Sequence, residues 1–209
     1  MTAWSRFPVR LAPEGWVFVL PLAGVTLLCA LLQWWVLAGV GGLCTVCVAL
    51  FFRDPERKVP LTPGAIVSPA DGRVMDIVEA DARTYRLSIF LSVLDVHVNR
   101  APYGGKVRTV SYTPGKFLAA YRQEASLVNE ANTVTIEHEG REVVVKQIAG
   151  VLARRIVCRV RPGDLLKTGQ RYGLIRFGSR TDVMLPRDAE VVVRVGEKVR
   201  AGETILAFL

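Results

Sequence analysis

Pro162-Gly163-Asp164-Leu165-Leu166-Lys167-Thr168-Gly169-Gln170 and Val195-Gly196-Glu197-Lys198-Val199-Arg200-Ala201-Gly202-Glu203 decide the fold, because the second stretch echoes the first. Each sets two glycines six apart, with an acid after the first, an aliphatic residue next but one, and an acceptor after the second. Glycines that turn the chain into a following strand are what small β-barrels use to reverse direction.

Working outward, the segment from Ala65 onward is a series of short β-rich runs punctuated by Gly and Pro: 65–68, 73–79, 85–91, 106–113, 133–137, 142–147, 172–177, 182–185, 190–195 and 204–208. Spacing this regular, together with the echoed turns, predicts a mainly β (α+β) domain with a lipoyl-like, barrel-sandwich sheet. The two helical candidates are brief, Phe117–Asn129 and Ile148–Val157. A lipoyl or biotin carrier also needs a lysine at a hairpin tip. The corresponding tip reads Phe177-Gly178-Ser179-Arg180 and has none. Residues 53–64 are polar, hold three prolines and read as a linker to a domain at 65–209.

Upstream, the 38 residues from Gly15 to Phe52 contain no Asp, Glu, Lys, Arg or His. As one helix they would reach roughly 57 Å, about twice a hydrocarbon core of ~30 Å. A two-helix hairpin at 16–32 and 34–52 fits better, broken at Gln33-Trp34-Trp35 or at the Gly39/Gly41/Gly42 cluster, with residues 1–52 as a membrane anchor. Arg6 and Arg10 before it and Arg53, Arg57 and Lys58 after it place both ends, and the following domain, on the cytoplasmic side of the cell membrane. The stretch is too long for a cleaved signal peptide, whereas a re-entrant pair that never crosses fits the same residues.

Cys44-Thr45-Val46-Cys47 has the spacing of redox and zinc sites, but without a second pair or a nearby His it reads as small apolar residues on a helix, and no metal site is expected. Residues 53–209 carry 25 Lys+Arg against 18 Asp+Glu, a net of +7. That balance suits an anionic surface. With an apolar anchor next door and no basic-aromatic stacking motif, anionic lipid is the expected partner and nucleic acid is not.

Candidate chemistry rests on few residues. His138 lies in a charged turn, Glu137-His138-Glu139-Gly140, and reads as solvated. His97 follows the apolar strand 87–91 within Leu94-Asp95-Val96-His97-Val98-Asn99-Arg100-Ala101-Pro102, where a rigid element would hold an imidazole. Asp71 occupies the turn Ser68-Pro69-Ala70-Asp71-Gly72, and Ser179 follows Gly178. Asp, His and Ser are the ingredients of an activated hydroxyl, in which the carboxylate orients the imidazole and the imidazole takes the hydroxyl proton.

Five ordered motifs, Gly64-Ala65-Ile66-Val67-Ser68-Pro69-Ala70-Asp71-Gly72, Asp95-Val96-His97-Val98-Asn99-Arg100-Ala101-Pro102, Tyr112-Thr113-Pro114-Gly115-Lys116-Phe117, Ala125-Ser126-Leu127-Val128-Asn129-Glu130 and Gly173-Leu174-Ile175-Arg176-Phe177-Gly178-Ser179-Arg180, together resemble the phosphatidylserine decarboxylase proenzymes in their short, archaeal-type form. The resemblance implies that Ser179 attacks the Gly178 carbonyl and turns the amide into an ester. β-Elimination then cuts the chain into a β chain, 1–178, and an α chain, 179–209, of 31 residues. It further implies that Ser179 becomes a covalent pyruvoyl group, whose ketone forms a Schiff base with the amine of phosphatidylserine and accepts electrons as CO2 leaves, yielding phosphatidylethanolamine. Asp71 and His97 would be orienter and base. The long bacterial form has H-x-x-H where this chain reads His97-Val98-Asn99-Arg100, and Gly-Ser-Thr where it reads Gly178-Ser179-Arg180.

Arg100, Lys116 and Arg180 are candidate contacts for substrate phosphate or carboxylate, with Asn129 and Glu130 in the head-group region. The implied partners are phosphatidylserine in an anionic membrane and the two pieces of one precursor, with a homo-oligomer left open. Two rival readings use the same residues: a membrane-anchored lipoyl-like adaptor without catalysis, and a serine hydrolase built on Asp71, His97 and Ser179.

Overall fold

The computed structural model describes residues 11–82, 84–151, 155–176 and 178–209. The chain forms two compact units, 1–56 and 57–209.

In the first unit, α1 (Pro13–Leu31) opens with proline in its first turn, where a missing N–H costs no hydrogen bond. Gln33 takes a left-handed conformation, φ 60°, and reverses the chain into α2 (Trp35–Phe51), so the break falls at the first of the two expected places. The arms touch through small residues: a Cβ on Gly41 would lie 2.6 Å from Thr26 Oγ1, and one on Gly15 2.6 Å from Phe52 Cβ. Close approach at small residues is how apolar helices associate where no water drives them together. The backbone N–H of Ala12 donates to Phe52 O at 2.7 Å and ties the two ends. By length and composition α1 can cross a membrane, and the 17-residue α2 is shorter. This apolar pair indicates membrane association.

The second unit is built from β1 (Ala65–Val67), β2 (Gly72–Glu79), β3 (Thr84–Leu91), β4 (Val98–Arg100), β5 (Gly105–Thr113), a single helical turn α3 (Ala125–Val128), β6 (Ala131–His138), β7 (Arg141–Ile148), β8 (Ile156–Cys158), β9 (Leu165–Leu166), β10 (Arg171–Ile175), β11 (Ser179–Pro186), β12 (Glu190–Val191), β13 (Lys198–Val199) and β14 (Ile205–Phe208). An eight-stranded sheet runs β13-β2-β3-β11-β7-β6-β5-β9, accompanied by three-stranded sheets β1-β14-β12 and β4-β10-β8. The expected mainly β, half-barrel architecture is the one observed. Alternation drives it, since along β6 and β7 Val134, Ile136, Val143 and Val145 point inward and are buried while their neighbours are wetter.

The echoed turns mark a structural duplication. Gly163 N–H donates to Val107 O and Val107 N–H to Asp164 O, both at 2.8 Å. Likewise Gly196 N–H donates to Val74 O at 2.8 Å and Val74 N–H to Glu197 O at 2.9 Å. Gly169 N–H bonds Ala101 O as Gly202 N–H bonds Ser68 O, at 2.8 Å each. All four glycines have φ between 73° and 98°, which a side chain would strain. Every matched pair is 33 residues apart. One half consists of β1–β3 and β11–β14, and the other, β4–β10, is inserted between β3 and β11. Two cores follow the halves, Val74, Leu87, Ile89, Val183 and Leu206 in the first and Val107, Val134, Ile136, Val145 and Tyr172 in the second, with Val143 of β7 crossing over to pack in the first.

Both helix expectations in this unit are corrected. Residues 117–129 form one turn of helix, because the segment folds back on itself: Lys116 N–H bonds Val128 O and Glu130 N–H bonds Lys116 O. The Asn129 side chain accepts from Leu118 N–H and donates to Leu118 O, standing in for helical bonds. Around 148–157 the backbone is extended at both ends, in β7 and β8, and residues 152–154 lie outside the described residues.

Candidate active site

Ser179 opens β11, directly opposite Leu91 at the end of β3. It is fully buried, and its Oγ has no hydrogen-bond partner among the described residues. An unmet buried hydroxyl costs about 1–3 kcal/mol and is uncommon unless it has work to do. Gly178, just before it, has φ 51°, a conformation that would cost another residue roughly 1–2 kcal/mol. Its carbonyl oxygen is held against Gly150, where a Cβ would collide with it. The peptide bond between Gly178 and Ser179 therefore joins a left-handed glycine with a fixed carbonyl to a buried, unsatisfied hydroxyl. Phe177 lies outside the described residues.

His97 is buried in the segment that leaves β3 after Leu91. Its Nδ1 lies 2.9 Å from the carbonyl oxygen of Asp95. A carbonyl accepts, so Nδ1 carries the proton and, in the neutral ring, Nε2 carries the lone pair. The His97 carbonyl accepts from Ile175 N–H at 3.3 Å, which fastens this segment to β10, the strand that leads into Gly178. His97 and the Gly178-Ser179 bond are thus brought to the same end of the sheet.

Asp71 is not joined to His97. Its carboxylate takes a two-pronged bond from Arg57 NH2, at 2.9 and 2.8 Å, and accepts from Ala201 N–H at 2.8 Å. Arg57 also reaches Glu203 at 3.3 Å. The imidazole is oriented by a main-chain carbonyl rather than by the expected carboxylate. Backbone Lys58 N–H and Arg57 stabilise the charged form of Glu203 and hold its carboxyl below the ordinary value, although partial burial pushes the other way.

Of the expected head-group contacts, Arg180 is buried. Its Nε donates to Asp182 at 2.6 Å, its NH2 donates to Ser88 Oγ at 2.6 Å, and Asp76 lies 3.7 Å away. Arg100 NH1 donates to Gly169 O at 3.1 Å, and Asn129 Nδ2 donates to Ala149 O at 2.8 Å. These three side chains serve internal partners, whereas Lys116 is exposed and Glu130 half-buried.

Three contributors escaped the sequence reading. Gly150 is a close-approach glycine with no motif around it. Gln147 sits buried in β7, donating to Asn99 Oδ1 at 2.9 Å and accepting from Asn132 Nδ2 at 3.1 Å. A polar residue on the inward face of an apolar strand was the signal for it. Lys146 pairs with Asp182 across the strands and donates to Ser126 O at 2.7 Å, pinning the 117–129 segment. Burial pushes its ammonium below the ordinary lysine value against the pull of Asp182. Among the described residues no cluster of three or more His, Cys, Asp and Glu could hold a metal ion.

The sequence profile of the phosphatidylserine decarboxylase family matches residues 45–207. The chain is 48% identical over 211 residues to a phosphatidylserine decarboxylase proenzyme of Symbiobacterium thermophilum, covering 98% of this chain and 97% of that one. It is 48% identical to the proenzyme of that name from Ruegeria pomeroyi, over 94% of each chain. The corresponding protein of Cereibacter sphaeroides is 49% identical, over 98% of this chain and 92% of that one.

Proposed function

The chain belongs to the phosphatidylserine decarboxylase family and converts phosphatidylserine to phosphatidylethanolamine and CO2, and on that premise we propose that Ser179 cuts its own backbone and becomes the pyruvoyl group on which the reaction depends. The observation that carries this reading is the buried, unpartnered Ser179 Oγ behind a left-handed Gly178 whose carbonyl oxygen is pressed against Gly150. A hydroxyl with no other bond and a carbonyl that cannot turn away are what an intramolecular attack requires.

In the cut, Oγ of Ser179 bonds to the carbonyl carbon of Gly178, the C–N bond breaks, and the amide nitrogen takes the hydroxyl proton, leaving an ester. A base then removes Hα of Ser179, the Cβ–Oγ bond breaks, and Gly178 leaves as a carboxylate. Water replaces the nitrogen, which departs as ammonia. His97 is the base, its Nε2 presented by the Nδ1–H bond to Asp95 O. Asp71 positions rather than activates, since with Arg57 it ties the 68–72 turn to Ala201 in the C-terminal piece. The resulting ketone supplies an amine trap and an electron sink.

The protein acts as a membrane-anchored, cytoplasmic-side enzyme, with the α1–α2 pair as anchor, 53–64 as linker and 65–209 as catalytic domain. Net positive charge on 53–209 and a lipid substrate support that arrangement. The adaptor and hydrolase readings are not favoured by relatives that carry the decarboxylase name over nearly their whole length.

Intact-mass measurement on purified protein tests the proposal. Two fragments split at 178/179 are expected, the 31-residue one lacking a free amino terminus. Ser179→Ala should abolish cutting and decarboxylation together. A single uncut chain that decarboxylates would overturn the assignment.

A further inference from the structure

We propose that the sheet edge carrying the Gly178-Ser179 bond is a docking face for an anionic bilayer, entered by the apolar tips of the loops around that bond, an inference that rests on Ser179 being the reacting residue. Strand register brings those loops together. Ser179 opens β11 opposite Leu91, the last residue of β3; Arg180 pairs with Ile148, the last of β7, and Ile148 with Ala131, the first of β6. Four neighbouring strands therefore end in one row, about 14 Å wide at ~4.8 Å per strand. The segments 92–97, 114–130 and 149–151 adjoin that row. They meet at the reacting bond, since the Cβ that would strike Gly178 O from Gly150 would also lie 3.3 Å from Ala120 Cβ.

What these segments expose is apolar and basic. Leu94 and Leu127 are 83% and 81% exposed, and Val93, Tyr121 and Val151 on the same segments are exposed too. Apolar side chains gathered on a surface in this way mark an interaction site. The exposed charges around them are Lys116, Arg122 and Arg155 against Glu124. Asp95 accepts from Ser92 N–H at 2.9 Å and from Ser92 Oγ at 2.7 Å, so its carboxylate is turned into its own loop. The opposite edge of the sheet is built otherwise. Its loops, 80–82, 139–140 and 187–189, expose no large apolar side chain among the described residues. That edge exposes Glu79, Asp81, Glu139, Glu142 and Asp188 against Arg141 and Arg187. Leucines that enter the acyl boundary, ringed by cations at head-group level, are the chemistry of an interfacial contact with anionic lipid.

The charge selects a bilayer over a second copy of the chain. A two-fold contact lays a patch against itself, which would set this basic rim against another. A diacyl lipid, moreover, leaves its bilayer at a cost that grows with every methylene. A reacting bond at this edge meets its substrate where the loops touch the membrane.

Hydrogen exchange on the full-length, uncleaved Ser179→Ala protein tests the face, in nanodiscs of pure phosphatidylcholine and of phosphatidylcholine mixed with phosphatidylglycerol. Phosphatidylglycerol is anionic but is not the substrate, so occupancy of the reacting site plays no part. On the mixed discs 92–96 and 120–128 should exchange on the order of tenfold more slowly than on the neutral ones, with 80–82 and 139–140 unchanged. Leu94→Ser/Leu127→Ser, at two exposed positions, should remove that protection. With Ser179 intact, the same double variant should turn over phosphatidylserine in vesicles on the order of tenfold more slowly. Dihexanoyl phosphatidylserine below its micelle concentration should react within about twofold of the unmodified rate. Arg122→Gln/Arg155→Gln should slow vesicle turnover roughly fivefold at low salt, and less as salt rises. Arg141→Gln/Arg187→Gln removes equal charge at the opposite edge and should change neither readout. Equal losses on vesicle and monomeric substrate would show that the leucines serve the reacting site and would overturn the docking face. Equal exchange on the two kinds of disc would overturn it as well, as would protection that rises with protein concentration in lipid-free detergent, the mark of a second copy. Failure of the unmodified chain to cut would sink the Ser179 assignment alone, because the exchange arm needs no cutting.

Discussion

The two halves of the barrel are bonded alike yet end differently at one place. In the second half β6 runs into β7 through Glu139 and Gly140, both left-handed at φ 50° and 78° and both exposed. In the first half the equivalent neighbours, β3 and β11, are not consecutive. The chain leaves at Leu91, builds the other half, and returns through Gly178, left-handed at φ 51°, into buried Ser179. A tight turn relieves its backbone strain in solvent, where every polar group finds water. The same conformation at half-buried Gly178 stands between a buried hydroxyl and a carbonyl oxygen pressed against Gly150. The difference teaches that the proposed reactive peptide bond needs little beyond what an ordinary hairpin contains, provided that the hydroxyl after it is buried without a partner and its carbonyl is fixed.

The comparison can be broken most forcefully at the row after the serine. Arg180 and Asp182 are wholly buried, whereas Glu142 and Arg108 in the second half form an exposed pair at 2.7 Å. Arg180→Met should cost about 3–5 kcal/mol by stripping buried Asp182 of its hydrogen-bonded cation, while Glu142→Gln should cost at most about 1 kcal/mol. Melting curves of the two variants decide it, and similar losses would mean that burial does not separate the halves. Next in size, Gly150→Ala should slow chain cutting on the order of 100-fold by displacing the Gly178 carbonyl, followed as fragment appearance against time. Gly140→Ala, whose Cβ would meet nothing within 4 Å, should cost about 1 kcal/mol through its backbone alone and leave the cutting rate unchanged. Equal slowing in both would erase the distinction.

The smallest effect concerns the echoed turns. Glu203 stands where the second half has Gln170, and its depressed pKa means that the folded state favours the carboxylate. Stability from this group is present above the ordinary value of 4.5 and is lost as pH falls through the lower folded value. Glu203→Gln should therefore flatten the stability profile below about pH 4.5 and shift the midpoint at neutral pH by a few tenths of a kcal/mol. An unchanged acid limb would show that the Arg57 contact is immaterial.

Much of this was readable in the sequence because the signals are local. The glycine-acid turns, the alternating strands and the charge-free N-terminal stretch each follow from residues close together in the chain. The short strands β4, β8, β9 and β13 were missed, since two or three residues carry no periodicity and their pairing comes from distant partners such as Gly72 and Arg73. At the site, Ser179, Gly178 and His97 were visible as motif residues. Gly150 and Gln147 were not, because their roles arise only when β7 is laid beside β11 and β4. Asp71 was assigned the wrong neighbour for a related reason: nothing near it in sequence reveals that Arg57 folds back onto it.

The insertion of one half within the other also dictates an order of events. Residues 179–209 supply the middle strand of the eight-stranded sheet, laddered to β3 on one flank and β7 on the other, together with edge strands elsewhere. Such a piece cannot slot in from outside without first parting a finished sheet, so the proposed cut at 178/179 would have to be a late, self-contained act on a precursor already assembled. The product of the proposed cut would be kinetically trapped: its two polypeptides would be separable by denaturation and, on this topology, poor at finding each other again.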